Sequence, residues 1–350
     1  MTAWHELASR AVEPNPFFEP EFVLPAARWF GESRVELLVV HDAGDWAAVV
    51  PVRRHLTWRL MPLPALAVWR HDYCFLGTPL VDRERTAEAT SALVDTALAA
   101  PRVGFVALDS LAGDGPVAQS IADRLEDRGL EPVLYRSYER AALRRRHEPT
   151  YLDETRSPHH RREGRRQRRR LERDLEATQA VEDRAGDPAA VEDFLRLEAS
   201  GWKGGAGTAF LSRPGHAAFF RELCAGLAAQ GHLQLLATCV GSRLVAMKTN
   251  LRAGDGLFCF KIAHDETLGR YSPGVQLEVD TVELFHADKD LAFMDSCAAP
   301  ENDMINRLWP DRRPIVTSVL PTPGPLGWAA SRQAPISASL EARLRLRKAT

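Results

Sequence analysis

Lysine is nearly absent. Of 45 basic residues in the 350-residue chain, only Lys203, Lys248, Lys261, Lys289 and Lys348 are lysine, and the rest are arginine. Such a bias reflects a GC-rich genome and makes each lysine an exception. Three of the five fall between Trp202 and Ile262. A compact ammonium and a planar guanidinium do different chemistry, so these three draw attention as a group. Cysteine is also sparse: Cys74, Cys224, Cys239, Cys259 and Cys297 are odd in number, form no C-x-x-C pair and stand near no histidine at ligand spacing. That pattern argues against a disulfide framework and a zinc site, and for free buried thiols in a reducing cytoplasm. No apolar run approaches the ~18 residues of a membrane span, and the first 20 residues lack a basic stretch followed by an apolar one. Neither a transmembrane segment nor a signal peptide is expected. The P-loop, the G-x-S-x-G elbow, H-E-x-x-H and the Rossmann glycine fingerprint are missing too, which leaves kinase, serine hydrolase, zinc protease and NAD-enzyme readings unsupported.

What is present is ordinary in bulk: 45% hydrophobic, 26% charged, net charge -2. At about 150 residues per domain the length suggests two domains. Charge is uneven, however, because residues 141–173 hold 12 Arg against 5 Asp and Glu. The first half reads as a helical run at 22–30, β runs at 35–41 and 47–55 around Asp42-Ala43-Gly44-Asp45, a strand at 73–78, then helices at 83–99 and 117–128 alternating with strands at 103–109 and 132–138. The second half has amphipathic helices at 189–202 and 216–229, a meander at 232–240, 243–252 and 257–263, a helix opening at Ser272-Pro273 and a strand at 291–295. Both halves predict an α/β (α+β) fold with a mixed, largely antiparallel sheet flanked by helices. We place domains at 1–150 and 151–320, with a Pro/Gly-rich linker and a mobile, basic tail at 321–350.

Four segments carry chemistry. Ser272 is a suitable N-cap, Pro273 suits the first helical position, and the amides that follow, with Arg270 just ahead, suit an anion. Upstream, strand alternation puts Lys261 on the face opposite Phe260 and Ile262, with Asp265 and Glu266 at the strand end placed to orient an amine or take its proton. An edge lysine and simple loop solvation are the plainer readings. Glu198 and Trp202, four apart, share a helix face, and the glycines after Lys203 suit either a lid or an ordinary C-cap. Finally, the run opening at Arg161 sets Arg162, Arg165, Arg166, Arg169, Arg170 and Arg173 at helical spacing, with Leu171 and Leu175 as a narrow docking edge. A solvated linker helix and a polyanion contact both fit it.

Taken together, Glu198 with Trp202-Lys203, the meander, Lys261-Ile262-Ala263-His264-Asp265-Glu266, Ser272-Pro273-Gly274, Asp295 and Trp309 resemble the CelD-like acetyltransferase family. That family lies in the GNAT superfamily and is related to Fem-type aminoacyltransferases. The likeness spans about residues 157–319, and Asn15-Pro16-Phe17 looks like the degenerate N-terminal half of the same proteins. It implies two tandem GNAT-like domains and transfer of an acyl group from acetyl-CoA or another acyl-CoA to an amine of a small molecule or glycan precursor, without a metal. The donor pyrophosphate would lie on Arg270, Tyr271, Ser272, Pro273 and Gly274, where Gly269 to Gly274 carry fragments of the usual phosphate loop. Glu198, Lys261, Asp265, Glu266 and Asp295 would serve catalysis. Trp202, Lys203, Lys248 and His264 would meet the substrate, His264 standing where the family more usually has tyrosine. The Fem-type relationship implies an alternative donor, aminoacyl-tRNA, with the arginine run as the tRNA contact. A non-catalytic nucleic-acid module on the same scaffold is the third reading.

Overall fold

The computed structural model describes residues 2–30, 34–42 and 44–349. Ala43 of the expected hairpin turn lies outside them. The chain forms two compact units, one of Met1–Val23, Glu32–Glu139 and Arg313–Thr350, the other of Leu24–Gly31 and Arg140–Arg312.

The first unit opens with helix α1 (Thr2–Ser9) and the start of α2 (Pro20–Trp29), whose C-terminal part groups with the second unit. Strands β1 (Val35–Asp42) and β2 (Asp45–His55) form the expected hairpin. Strands β3 (Ala65–Val68) and β4 (Leu80–Val81) both run antiparallel to β2. After α3 (Thr86–Leu98), β5 (Phe105–Ala112) pairs parallel with β3, and α4 (Pro116–Asp127) packs on α3 before β6 (Val133–Arg144) leads into the second unit. The expected strand at 73–78 does not form. Buried Asn15 donates to the carbonyls of Leu76 and Thr78 at 3.3 and 2.7 Å, and the Gly77 amide donates to Ser110 O at 2.8 Å. The polar backbone groups of that segment are therefore satisfied outside a strand ladder. A Cβ on Gly77 would stand 1.9 Å from Asp109 O, so only glycine permits the approach.

The second unit continues with α5 (Tyr151–Thr155) and α6 (Pro158–Asp174), the latter capped by the Ser157 hydroxyl, which accepts from the His160 amide. Then follow β7 (Gln179–Asp183), α7 (Pro188–Ser200), α8 (Trp202–Gly205) and α9 (Pro214–Ala229). In α9, Phe219, Leu223 and Leu227 are buried as their spacing predicts. Strands β8 (Leu233–Val240), β9 (Arg243–Ala253) and β10 (Gly256–His264) make the meander, with Gly241 and Gly254 at positive φ in its turns. Helix α10 (Pro273–Ala287), β11 (Phe293–Asp295) and α11 (Asp303–Asn306) follow. The sheet runs β6, β11, β10, β9, β8, β7, and β10 with β11 is its parallel pair. Its core gathers Tyr151, Leu257, Phe285, Met294 and Trp309.

The chain then returns to the first unit. Strand β12 (Asp311–Pro321) pairs antiparallel with β5, and α12 (Pro325–Ala349) buries Ala330 and Ala334 against Trp58, Phe105 and Val319. The segment expected to be a mobile tail is thus a docked helix. Its small residues let it approach closely, a pattern that apolar periodicity of large side chains does not reveal. Each unit carries a mixed, mostly antiparallel sheet with helices packed on it, the predicted fold class. No helix of the described residues is long and apolar enough to cross a membrane.

Asp109 ties the first unit together, pairing with Arg59 at 2.8 Å and Arg70 at 3.1 Å and accepting from Thr317 at 3.0 Å. Burial alone would raise its carboxyl, but the Arg70 and Arg59 guanidiniums overcome that and hold it at about 2. A carboxyl depressed in the folded state adds stability above its unfolded value of 3.8 that is lost as pH falls toward 2. Asp109→Asn should cost about 3–5 kcal/mol at pH 7, as for one broken partner of a buried pair. Urea denaturation at pH 7 and pH 2.5 should show that gap narrowing in acid.

Candidate active site

Strands β10 and β11 pair only from Gly256 to Phe258 and from Phe293 to Asp295. Beyond that point β10 continues beside β9 to His264, whereas the chain after Asp295 parts from β10, the Ser296 amide donating instead to Ala141 O of β6 at 3.1 Å. The two parallel strands therefore splay, and a groove of about 540 Å³ fills the opening. One wall is Cys259 to Ile262 of β10, a second is the N-terminal half of α10 with Gly274, Val275 and Glu278, and a third is Ser296 to Ala298. A β-bulge between Cys259 and Lys261 sits at the start of the opening. A bulge places two successive side chains against one partner residue and re-aims them.

That bulge overturns the expected alternation. Phe260 packs against Phe210 at a ring separation of 6.3 Å, and Lys261 Nζ lies 5.4 Å from the same Phe210 ring, so the two do not project to opposite faces. Ser272 departs from expectation as well. Its side chain makes no capping bond, because it sits in the left-handed region at φ 53°, donating its amide to Gly269 O as the chain passes from a 3-10 turn (Glu266–Tyr271) into α10. The amides of Gly274 and Val275, in the first turn of α10, have no partner inside the helix, and both residues line the groove.

The other expected residues divide. Trp202, Lys203, Lys248, Lys261, His264, Ser272 and Gly274 line the groove. Glu198 is buried behind it, accepting from Lys203 Nζ at 3.1 Å and from the Phe210 amide at 2.9 Å, and Lys203 Nζ also donates to Ile262 O at 3.0 Å. Glu198 and Trp202 do not share one helix, because Gly201 is extended and breaks α7 from α8. A Cβ on Gly201 would stand 2.7 Å from Glu266 Oε1, the atom that accepts the Trp202 amide at 2.7 Å. Glu266 thus anchors the Trp202 turn. Asp265 caps the 3-10 turn through the Thr267 amide and pairs with Arg243 at 2.6 Å. Asp295 is buried against Arg140 at 2.6 Å. Arg270 is largely exposed, stacked 4.6 Å from the Tyr271 ring, and the Tyr271 hydroxyl donates to Asp174 at 2.6 Å. The described residues contain no group of three or more His, Cys, Asp and Glu able to hold a metal.

Sequence reading missed Glu278. It is the carboxylate among the groove-lining residues, buried and paired with Lys248 Nζ at 2.8 Å. The signal was available: Glu278 falls on the inward stripe of α10 with Leu277, Thr281 and Phe285, where an unpartnered acid would be costly. Burial disfavours the Lys248 ammonium, but the neighbouring Glu278 carboxylate outweighs it and holds its pKa above the ordinary lysine value. Burial pushes the Cys259 thiol up to about 12, so that thiol stays protonated.

Residues 158–302 match the acetyltransferase (GNAT) domain family. Among solved structures the chain is similar to FemX, with 10% identity, a TM-score of 0.60 and coverage of 91% of this chain and 95% of that one. It is also similar to the C-terminal domain of a protein named as a lysylphosphatidylglycerol synthetase from Agrobacterium fabrum, with 12% identity, a TM-score of 0.55 and coverage of 97% and 95%. L-PGS from Bacillus licheniformis shares 12% identity at a TM-score of 0.50, with coverage of 93% and 95%. No curated protein matches the chain in sequence. At these identities the structural likeness is one of fold. The match, confined to residues 158–302, makes the protein an acyltransferase enzyme.

The Lys248 and Glu278 pair makes a testable coupling. Removing one partner leaves a buried charge, so Glu278→Ala should destabilise the protein by about 3–5 kcal/mol, and Lys248→Met with Glu278→Ala should recover much of that loss. Denaturation midpoints of the wild type, both single variants and the double variant give the coupling directly.

Proposed function

We propose that this protein moves an acyl group from an acyl-CoA to an amine acceptor by direct attack within the groove between β10 and β11. The splay of those two parallel strands carries the reading. It gives a thioester-bearing arm a slot lined by backbone and apolar side chains, with helix-terminal amides at one end. In this reading the Gly274 and Val275 amides take the donor pyrophosphate, since a helix N-terminus presents unpaired N–H groups to an anion. The pantetheine arm lies along Cys259 to Ile262, where the bulge turns Lys261 toward the groove, placing its ammonium where negative charge develops on the thioester oxygen. The amine attacks the thioester carbon, the C–N bond forms as the C–S bond breaks, and the CoA thiolate leaves. Glu278 takes the proton lost by the amine, with Lys248 holding its carboxylate in place. Glu198 and Lys203 position Ile262 and the groove mouth. Asp265, Glu266 and Asp295 shape the site through other groups. The finer placement in the CelD-like family rests on the order of Glu198, Trp202-Lys203, the Lys261 to Glu266 run, Ser272-Pro273-Gly274 and Trp309.

A second reading, an aminoacyl-tRNA donor, is favoured by one observation. Arg162, Arg165, Arg166, Arg169, Arg170 and Arg173 form a surface stripe along α6, the kind of basic track that meets a phosphate backbone. The fold likeness to FemX agrees with it.

Calorimetric titration with acetyl-CoA separates the two readings. Saturable binding is expected, and Gly274→Asp, whose Cβ would meet His264 at an ordinary contact distance of 3.4 Å, should weaken it by about tenfold or more by setting a carboxylate among the amides proposed to hold the phosphates. Absence of binding near millimolar ligand, with tRNA retained on a filter, would transfer the assignment to the second reading.

A further inference from the structure

A second cavity, of about 270 Å³, lies between α6 and the outer side of α10. Four arginines line it, Arg156, Arg161, Arg165 and Arg168, against two carboxylates, Asp280 and Glu283. Two of the four are already committed: Arg161 pairs with Asp153, and Arg168 pairs with Asp280 at 2.5 Å and donates to Gln276 at 3.3 Å. Arg156 and Arg165 have no carboxylate partner among the described residues. Arg156 donates only to the His160 carbonyl, at 2.9 Å, and its guanidinium lies over α6 at Gly164, where a Cβ would stand 3.0 Å from it. A partly buried guanidinium held against a glycine and facing a cavity is a fork without its anion. The remaining wall is apolar, formed by Leu152, Val275 and Val279.

One residue connects this cavity to the groove: Val275, in the first turn of α10, lines both. The volume is below the roughly 300–1,000 Å³ of sites that hold a whole drug-sized ligand, so it suits one end of an elongated molecule. We infer that this cavity binds the terminal phosphate of the donor nucleotide, the 3′-phosphate of the CoA ribose, through Arg156 and Arg165, with the apolar wall against the nucleoside. This rests on the acyl-CoA reading and extends it to a second anchor, remote from the reacting atoms.

The test compares CoA with dephospho-CoA, which lacks that phosphate, by calorimetry on the full chain and on an Arg156→Gln, Arg165→Gln variant. The wild type should prefer CoA by about tenfold or more, the size of a charge-assisted contact, and the variant should bind both ligands as the wild type binds dephospho-CoA. Unchanged affinity for dephospho-CoA reports that the variant is folded. If that affinity falls too, Arg165→Gln alone, on the exposed face of α6, is read in its place and should lose part of the preference. Equal wild-type affinities, or a preference that survives the substitutions, would overturn the anchor and leave the acyl-CoA reading standing. Failure of the wild type to bind either ligand would remove both.

Discussion

The groove depends on one carboxylate. Asp295 ends β11, pairs in the interior with Arg140 of β6 at 2.6 Å, and accepts the Cys297 amide at 3.0 Å through its other oxygen. The first contact fixes the end of the strand, and the second turns the chain away from β10, with Cys297 at a positive φ of 50°. A left-handed residue at that point is costly and persists because the surrounding contacts require it. Had β11 continued beside β10, ladder hydrogen bonds would fill the space that the groove occupies.

The scarcity of lysine acquires meaning in this setting. Lys203, Lys248 and Lys261 all line the groove, in a protein that otherwise places arginine at its ion pairs. Arginine's planar fork satisfies carboxylates at the periphery, whereas an ammonium is compact enough to be buried in a sheet or set over an aromatic ring. Lys203 and Lys248 are each matched by a buried glutamate, Glu198 and Glu278. The groove floor consequently holds charge in nearly balanced form.

How much of this was legible in the sequence varied with the kind of signal. Turn chemistry read correctly: the short breaks between 232–240, 243–252 and 257–263 announced the meander, and the 42–45 turn announced the first hairpin. Periodicity also read correctly for α9. It failed at Phe260, because a bulge adds a residue that alternation cannot anticipate, and at 73–78, where the Asn15 side chain supplies from a distance the hydrogen bonds a strand would have needed. Ser272 looked like a cap by residue type, yet capping depends on backbone geometry that the preceding 3-10 turn dictates. Glu278 was hidden by its surroundings, since an acid on the buried stripe of a helix becomes informative only when Lys248 of β9 is known to face it. Strand β12 and helix α12 were missed for a related reason, their partners being more than 200 residues away in sequence.

The two units use the same local topology to opposite ends. In the first, β2, β3 and β5 repeat the pattern of β9, β10 and β11, an antiparallel pair followed by a parallel one, and β3 pairs with β5 only from Ala65 to Ala67 and from Phe105 to Ala107. Beyond that register a groove like that of the second unit would begin. Instead Arg70 reaches Asp109 at 3.1 Å and the Ser110 hydroxyl at 2.6 Å, and the Gly77 amide donates to Ser110 O. Arginine, aspartate and a backbone segment occupy the place where strands of this kind diverge. The splay is thus a property of the fold, and what the next few residues put into it differs: an ion cluster around Asp109 in one unit, and in the other an open groove beside a chain turned aside by Asp295. The residues that match the acetyltransferase (GNAT) domain family, 158–302, all lie in the second unit.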